Sequence, residues 1–170
     1  MGQIPIQEND ATGDKPNQTK LGSDPISGAG EGSLTFMPHL IILYTPNLEP
    51  ETDMTALCRS LADTMLTVQD DAGKQVFPTG GTRVLAYPAA HFAVADGKAD
   101  YAFVYLNLRM GRGRNNATQK RAGDALLMTT KTHFQPVFKE RHIGITLQID
   151  EGPEVFDAKH SNLHALFQKF

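Results

Sequence analysis

The distribution of apolar residues divides the chain into two parts. Residues 2–35 are dominated by Gly, Ser, Asp, Asn, Gln, Thr and Pro, and their few apolar residues follow no helical or strand period. Such a segment cannot bury enough apolar surface to offset the entropy lost on ordering. It also lacks the basic and continuous apolar regions of a secretory signal. We therefore predict that residues 1–36 are a disordered leader, either an added segment or a mis-assigned start, and that residues 37–170 form a single domain.

The first half of this domain shows a strand, a helix and a second strand. Residues Pro38–Thr45 form a continuous apolar run, which predicts a strand covered on both faces. Thr52 is a predicted N-cap for a helix. The apolar stripe of that helix consists of Met54, Leu57, Cys58, Leu61, Met65 and Val68. A second strand is predicted near Thr82–Tyr87 and is broken by Pro88, so this half resembles one βαβ unit.

The second half repeats the same plan. Residues Tyr101–Met110 alternate as in a strand, and Asn116 is a predicted cap for a long helix. Pro136 lies inside the helical pattern and should kink or restart the helix, because its ring displaces the carbonyl four residues earlier. Residues Ile143–Asp150 predict the fourth strand, and His160–Phe167 is a short apolar segment.

Two βαβ units in tandem predict an α/β (α+β) fold with a four-stranded mixed sheet and two helices on one face. The strands have apolar residues on both sides, but two helices on one face cover only half of that surface. The remaining apolar face would have to be covered by self-association. We therefore expect an oligomer.

The charge distribution excludes several classes of function. The chain has 16 basic and 19 acidic residues and a net charge of −3, and its basic residues are scattered except for Arg109, Arg112 and Arg114. A nucleic-acid-binding protein usually has a basic excess on one face, so we predict no nucleic-acid partner. No apolar stretch approaches the length needed to cross a bilayer, so we predict no membrane partner.

Cysteine and histidine usage indicates neither a disulfide nor a metal site. Cys58 is the only cysteine, which precludes an intrachain disulfide, and its place on the apolar stripe predicts a small core residue. His160 and His164 lie four residues apart, but no third ligand has a recognisable spacing. We predict no metal.

The dipeptide Met37-Pro38 stands directly before the first strand. If translation began at Met37, the small proline would allow removal of the methionine and leave a free secondary amine. An unperturbed α-amino group titrates close to neutral pH, and burial or a nearby cation lowers its pKa further. Such a nitrogen is a candidate catalytic base. Proline is also a normal first residue of an ordinary strand, so the dipeptide alone leaves a purely structural role open.

Several blocks of the sequence favour the catalytic role through a resemblance. They are Pro38-His39-Leu40-Ile41, Phe77-Pro78 with Gly81-Thr82-Arg83, Ala95-Asp96-Gly97, Asp100-Tyr101-Ala102-Phe103-Val104, Gly111-Arg112-Gly113-Arg114, Lys131-Thr132-His133-Phe134 and Asn162-Leu163-His164-Ala165-Leu166-Phe167. Together they resemble the 5-carboxymethyl-2-hydroxymuconate delta-isomerases of the tautomerase superfamily over residues 38–170. Two departures are a longer loop after the first helix and Pro136.

This resemblance implies a cofactor-independent isomerase of homoprotocatechuate catabolism, cytoplasmic and homotrimeric. It implies that Pro38 moves a proton in 5-carboxymethyl-2-hydroxymuconate to give the 2-oxo-3-ene isomer. Arg83 and Arg114 match the family positions that hold the substrate carboxylates and stabilise the developing enolate. Arginine suits both tasks because its planar fork binds carboxylate at two points and stays charged. His39, next to the base, is a second candidate for substrate binding.

Two other hypotheses stay open on the sequence. The first is a different tautomerase-superfamily activity, such as a phenylpyruvate-type tautomerase or a hydratase-like dehalogenase. The second is a non-catalytic oligomer, which applies if the leader stays attached, because the Pro38 nitrogen is then a tertiary amide without a usable lone pair.

Overall fold

The computed structural model describes residues 37–152, 160 and 162–167. The predicted leader, residues 1–36, lies outside the described residues, so the proposed domain boundary stays a prediction. In chain order, the main elements of the described part are β1 His39–Tyr44, α1 Met54–Thr67, β2 Arg83–Pro88, β3 Ala102–Met110, α2 Asn116–Phe134, α3 Val137–Glu140, β4 Ile143–Glu151 and α4 Leu163–Leu166. Short 3₁₀ turns at Pro46–Leu48 and Thr79–Gly81 precede α1 and β2.

The four strands form one mixed sheet in the order β2-β1-β3-β4. Strand β1 is parallel to β2, β3 is parallel to β4, and the two central strands are antiparallel. Helix α1 connects the first parallel pair and α2 connects the second. The predicted tandem of βαβ units and the four-stranded mixed sheet are confirmed.

Both long helices cover the same face of the sheet. Alternate residues of β1 and β3 are buried, and the buried positions are directly paired, as with Leu40 and Leu108 or Ile42 and Leu106. Their side chains pack with Leu57, Leu61 and Met65 of α1 and with Ala122, Leu126 and Phe134 of α2. Cys58 is partly buried against this cluster, and burial raises the pKa of its thiol. The core therefore lies between the sheet and the helix pair.

We call the other side of the sheet the open face. Among the described residues it exposes Leu43, Leu85, Tyr87 and Phe103, whose exposed fractions are 46%, 43%, 48% and 37%. Within one chain β1 is thus covered on one side only. The prediction that this strand is covered on both faces is wrong for the single chain, because both helices occupy the same side.

The start of α1 lies one residue later than predicted. The Asp53 carboxylate accepts a hydrogen bond from the Ala56 N–H at 3.0 Å, so Asp53, and not Thr52, is the N-cap. The Thr52 hydroxyl is instead 2.6 Å from Nε2 of His133 in α2. The hydroxyl thus has a distant partner, and the carboxylate of the next residue satisfies one of the free N–H groups of the helix.

The limits of α2 are set by Asn115 before its first residue and by Pro136 after its last. Asn115, rather than the predicted Asn116, is the N-cap, and its side-chain oxygen accepts from the Thr118 N–H at 2.8 Å. At the other end α2 stops at Phe134, and α3 begins after Pro136. The prediction that Pro136 restarts the helix is confirmed, since proline fits the first turn of a helix but not its interior.

Candidate active site

The ends of all four strands bring the predicted site residues to one edge of the sheet. Strands β1 and β2 begin at this edge, and β3 and β4 end there. His39 pairs with Arg83 of β2 and with Arg109 of β3, and Arg109 pairs with Asp150 of β4. Pro38 immediately precedes this row, and the bend Gly111–Arg114 immediately follows β3. We call this the Pro38 edge.

Pro38 is buried at the head of β1 and directly precedes His39, which pairs with Arg83. The residue before it, Met37, is partly buried, and its sulfur accepts a hydrogen bond from Nη1 of Arg83 at 3.2 Å. The Arg83 guanidinium is therefore in contact with the residue bonded to the Pro38 nitrogen. In the chain as it stands that nitrogen belongs to an amide and cannot act as a base.

Arg83 is held by the tight turn that precedes β2. Its Nη1 also donates to the Gly81 carbonyl at 2.9 Å, and the Thr82 hydroxyl donates to the Pro78 carbonyl at 3.0 Å. Gly80 and Gly81 are both buried in this turn. The turn thus fixes the direction in which the arginine side chain leaves the sheet.

Arg114 is half-buried below the Gly-rich bend. Its Nη1 donates to the Gly111 carbonyl at 3.0 Å, its Nη2 donates to the Val76 carbonyl at 3.3 Å, and its guanidinium lies 5.6 Å from the centre of the Phe77 ring. Burial lowers the pKa of Arg114, and the nearby Glu151 carboxylate opposes that shift. The loop after α1, noted above as long, supplies the Val76 and Phe77 contacts.

Neither arginine is neutralised by a directly bonded carboxylate within the described part of the chain. Both Arg83 and Arg114 donate to backbone carbonyls, which carry only partial charge. Each guanidinium has five N–H donors, so donors remain for a ligand. The Pro38 edge can therefore attract an anion and bind its carboxylates in two-point fashion.

His39 occupies a register position between Arg83 and Arg109, on the open face. It is partly buried. Its position beside the proposed base keeps it a candidate for substrate binding. No distance to a substrate tests its role, so it stays a prediction.

Glu151, the last residue of β4, is not among the site residues predicted from the sequence. Its Oε1 accepts the Gly113 N–H at 3.1 Å, which ties the bend to the sheet. Residues 113 and 151 are far apart in sequence, so no local spacing could have indicated this contact. The only available signal was the glutamate directly after the predicted strand Ile143–Asp150.

Metal-ligating residues do not cluster within residues 37–152, 160 and 162–167: no group of three or more His, Cys, Asp or Glu side chains is placed to hold an ion. His160 is exposed, and the His164 side chain lies outside what is described. The expectation that the protein uses no metal and no cofactor stays a prediction.

None of the described helices is both long and apolar enough to span a bilayer.

Comparison with known proteins identifies the family. Residues 38–167 match the family model described as 5-carboxymethyl-2-hydroxymuconate isomerase. The chain belongs to this family. It is 31% identical over 132 residues to 5-carboxymethyl-2-hydroxymuconate Delta-isomerase of Escherichia coli, an alignment that covers 78% of this chain and 100% of that protein. The predicted family, and with it the class of isomerase, is confirmed.

Two crystal structures of family members have the same fold. One, of a 5-carboxymethyl-2-hydroxymuconate delta-isomerase, is 57% identical, covers 80% of this chain and 96% of that chain, and has a TM-score of 0.77. The other, a 5-carboxymethyl-2-hydroxymuconate isomerase from Deinococcus radiodurans R1, is 36% identical, covers 79% of this chain and 97% of that chain, and has a TM-score of 0.71. The similarity extends over nearly the whole of both relatives.

Proposed function

We propose that this protein isomerises 5-carboxymethyl-2-hydroxymuconate without a cofactor, and that Pro38 is the base once residues 1–37 are absent. The principal supporting observation is the Pro38 edge, where a buried proline begins β1 and where two arginines at the same strand ends bond only neutral groups among the described residues. The proposed substrate is a dienol with three carboxylates. Its charge is complementary to this edge.

In the proposed reaction one proton moves and the electrons shift along the conjugated system. The free Pro38 nitrogen takes the proton of the 2-hydroxyl, so the O–H bond breaks and a dienolate forms. The same nitrogen returns that proton to carbon five, where a C–H bond forms, and the product is the 2-oxo-3-ene isomer. Arg83 and Arg114 hold carboxylates and stabilise the developing negative charge, which is the electrostatic task of preorganised donors.

Removal of Met37 would have two effects on this site. It converts the Pro38 nitrogen from an amide to a secondary amine, and it frees the Arg83 Nη1 that now donates to the Met37 sulfur. The nearby cations disfavour a charged amine and therefore lower its pKa, which favours a base at neutral pH. The family match begins at residue 38, which supports Pro38 as the functional start.

Comparing two preparations tests this proposal: the full chain and a chain started at Met37. Intact mass establishes whether each begins at Met1, Met37 or Pro38, and loss of dienol absorbance measures turnover. We expect turnover only from protein that begins at Pro38. Equal turnover by a preparation whose mass shows residues 1–37 fully retained would refute the proline mechanism.

We also propose that the active protein is a homotrimer, because the open face exposes apolar side chains that a monomer would leave in water. Light scattering measures the mass directly. A monodisperse species with the mass of one chain at micromolar concentration, 18.6 kDa if residues 1–37 are retained and less if they are absent, would contradict the proposal. The proposed substrate also implies a role in homoprotocatechuate catabolism, for which we propose a cytoplasmic location.

A further inference from the structure

We propose that Glu151 is a positioning residue that fixes the Gly111–Arg114 bend and thereby the direction of the Arg114 side chain. This inference rests on the proposed function, in which Arg114 binds the substrate. Glu151 itself has no assigned contact with the substrate. Its effect on the reaction would be transmitted through the bend.

The first argument is the conformation of the bend. Gly113 has φ +103°, a value that L side chains rarely adopt, and an added Cβ there would meet no atom within 4 Å. Glycine is therefore required at position 113 because of its backbone conformation, and not because a side chain would clash. A bend with this conformation and little packing around it needs another constraint to hold one geometry, and the 3.1 Å bond from Gly113 N–H to Glu151 supplies it.

The second argument is the rigidity of the anchor. Glu151 pairs with Met110, the last residue of β3, so the carboxylate projects from a hydrogen-bonded strand end. The bend leaves β3, the partner strand of β4, at Gly111. Both ends of the contact are thus fixed to the sheet, and Arg114 follows the tethered Gly113 directly.

The third argument is electrostatic. The Glu151 carboxylate is close enough to favour the charged form of Arg114, yet the two groups form no salt bridge within 4 Å. The arginine donates instead to the Gly111 and Val76 carbonyls. Glu151 therefore offsets part of the desolvation of the guanidinium without occupying the donors that a substrate carboxylate would need.

The test compares Glu151→Ala with Glu151→Gln in protein that begins at Pro38. The amide oxygen of glutamine can still accept the Gly113 N–H, so we expect Glu151→Gln to lose about 3-fold or less in kcat/KM for the tricarboxylate. Alanine removes the acceptor and the charge, and we expect a loss of about 10-fold, the scale seen when a supporting contact of a binding group is removed. A loss equal in the two variants would overturn the role of the Gly113 bond.

A double-mutant cycle separates positioning from general stability. If Glu151 acts through Arg114, then Glu151→Ala should cause little further loss in a protein that already has Arg114→Ala. Fully additive losses would overturn the inference. Asp150→Asn is the matched control, since it removes one negative charge from the neighbouring residue, whose carboxylate bonds Asn107 and Gln148 and not the bend.

Amide hydrogen exchange gives a readout that needs no activity. Glu151→Ala should accelerate exchange of the Gly113 amide by about 10-fold or more, whereas Glu151→Gln and Asp150→Asn should change it little. Unchanged Gly113 exchange in Glu151→Ala overturns the inference whatever the kinetics. If the unmodified enzyme turns over no dienol but Gly113 exchange accelerates as expected, the proposed function fails and the role of Glu151 in fixing the bend stands.

Discussion

The two edges of the sheet use arginine in opposite ways. At the Pro38 edge, Arg83 and Arg114 donate to neutral carbonyls. At the other edge, Arg141 forms salt bridges with both Glu51 and Asp100, and the distance from its Nη1 to the Asp100 carboxylate is 2.7 Å. We call this the Arg141 edge. Arginine is thus paired with carboxylates at the Arg141 edge, whereas at the Pro38 edge its bonds to described residues go to groups without a full charge.

The two edges therefore serve different purposes: the Arg141 edge contributes to stability, and the Pro38 edge is available for binding. Hydrogen bonds that Arg141 donates to Glu51 and Asp100 raise its pKa, because both carboxylates favour the charged guanidinium. Burial lowers the pKa of Arg114, because its charge has lost water and no carboxylate of the described residues is hydrogen-bonded to it. An incoming carboxylate would compensate Arg114 but would compete with existing partners at Arg141. The comparison predicts that substitutions at the two edges change different measured quantities.

The largest expected effect is on substrate turnover at the Pro38 edge. Replacing Arg83 or Arg114 by alanine should lower kcat/KM for the tricarboxylate by roughly 10²-fold or more, the scale of losing one preorganised charged contact. Lysine at either position should restore activity only in part, because it supplies charge without the planar fork. Steady-state kinetics, with circular dichroism to verify folding, measures both effects.

Arg112→Ala is the control for these variants, since Arg112 is exposed in the same bend and should tolerate the change. A monoacid enol such as phenylpyruvate offers fewer carboxylates, so its turnover should fall less than that of the tricarboxylate. Equal losses for the two substrates, or no loss for either, would refute the carboxylate-binding role. The hypothesis of a phenylpyruvate-type tautomerase would then gain support.

At the Arg141 edge the expected effect is on thermal stability. Arg141→Ala removes bonds to Glu51 and Asp100 from a side chain that is only 14% exposed, and we expect Tm to fall by roughly 3–6 °C for a domain of this size. Turnover per folded molecule should stay close to that of the parent enzyme. Differential scanning calorimetry, together with kinetics below the transition, tests both statements.

Arg59→Ala is the matched control, because Arg59 and Asp63 form an exposed pair four residues apart on α1, with both side chains 63% exposed. Exposed pairs contribute little, so its Tm should change by less than that of Arg141→Ala. If the two arginines gave equal shifts, burial at the Arg141 edge would have no special effect. A large loss of turnover in Arg141→Ala would contradict the division between the edges.

The sequence allowed good prediction of the elements and poorer prediction of the contacts between them. Periodicity located the strands and both long helices, because each has a continuous apolar run or stripe that faces the core. The N-cap of α1 was wrong by one residue, since the Thr52 hydroxyl contacts His133, which lies 81 residues later in the chain. Such a partner is invisible to any local pattern.

Prediction of the site was limited in the same way, because local patterns do not reveal distant partners. The Met37-Pro38 dipeptide indicated Pro38, and the resemblance supplied Arg83 and Arg114. Pro38 precedes β1, Arg83 begins β2 and Arg114 follows β3, so the pairing of these strands brings them to one edge. Glu151 and Arg141 were not predicted, because a carboxylate or a guanidinium has no local signature of its distant partner. Their roles depend on which strand ends meet, and that follows from the order β2-β1-β3-β4.

The smallest expected effect is a pH dependence of stability at His133. Its ring contacts the Thr52 hydroxyl at 2.6 Å, and burial lowers its pKa, with a smaller opposing contribution from Asp53. An unfolded histidine titrates near pH ~6.5. Between that value and the lower folded value, the unfolded chain binds the additional proton. This contribution to stability is therefore complete above the unfolded pKa and is lost as the pH falls through the window below it.

We accordingly expect Tm to fall between pH 7.5 and pH 5.5, and to fall less in His133→Gln, whose amide can still bond Thr52 but cannot gain a proton. His91→Gln, a change of an exposed histidine, should leave the slope of Tm against pH as it is in the parent protein. The difference in the slope of Tm against pH between the parent and His133→Gln measures the contribution of His133. Carboxylates titrate at lower pH and contribute equally to all three proteins. Identical slopes in His133→Gln and the parent would show that burial of this ring does not couple folding to protonation.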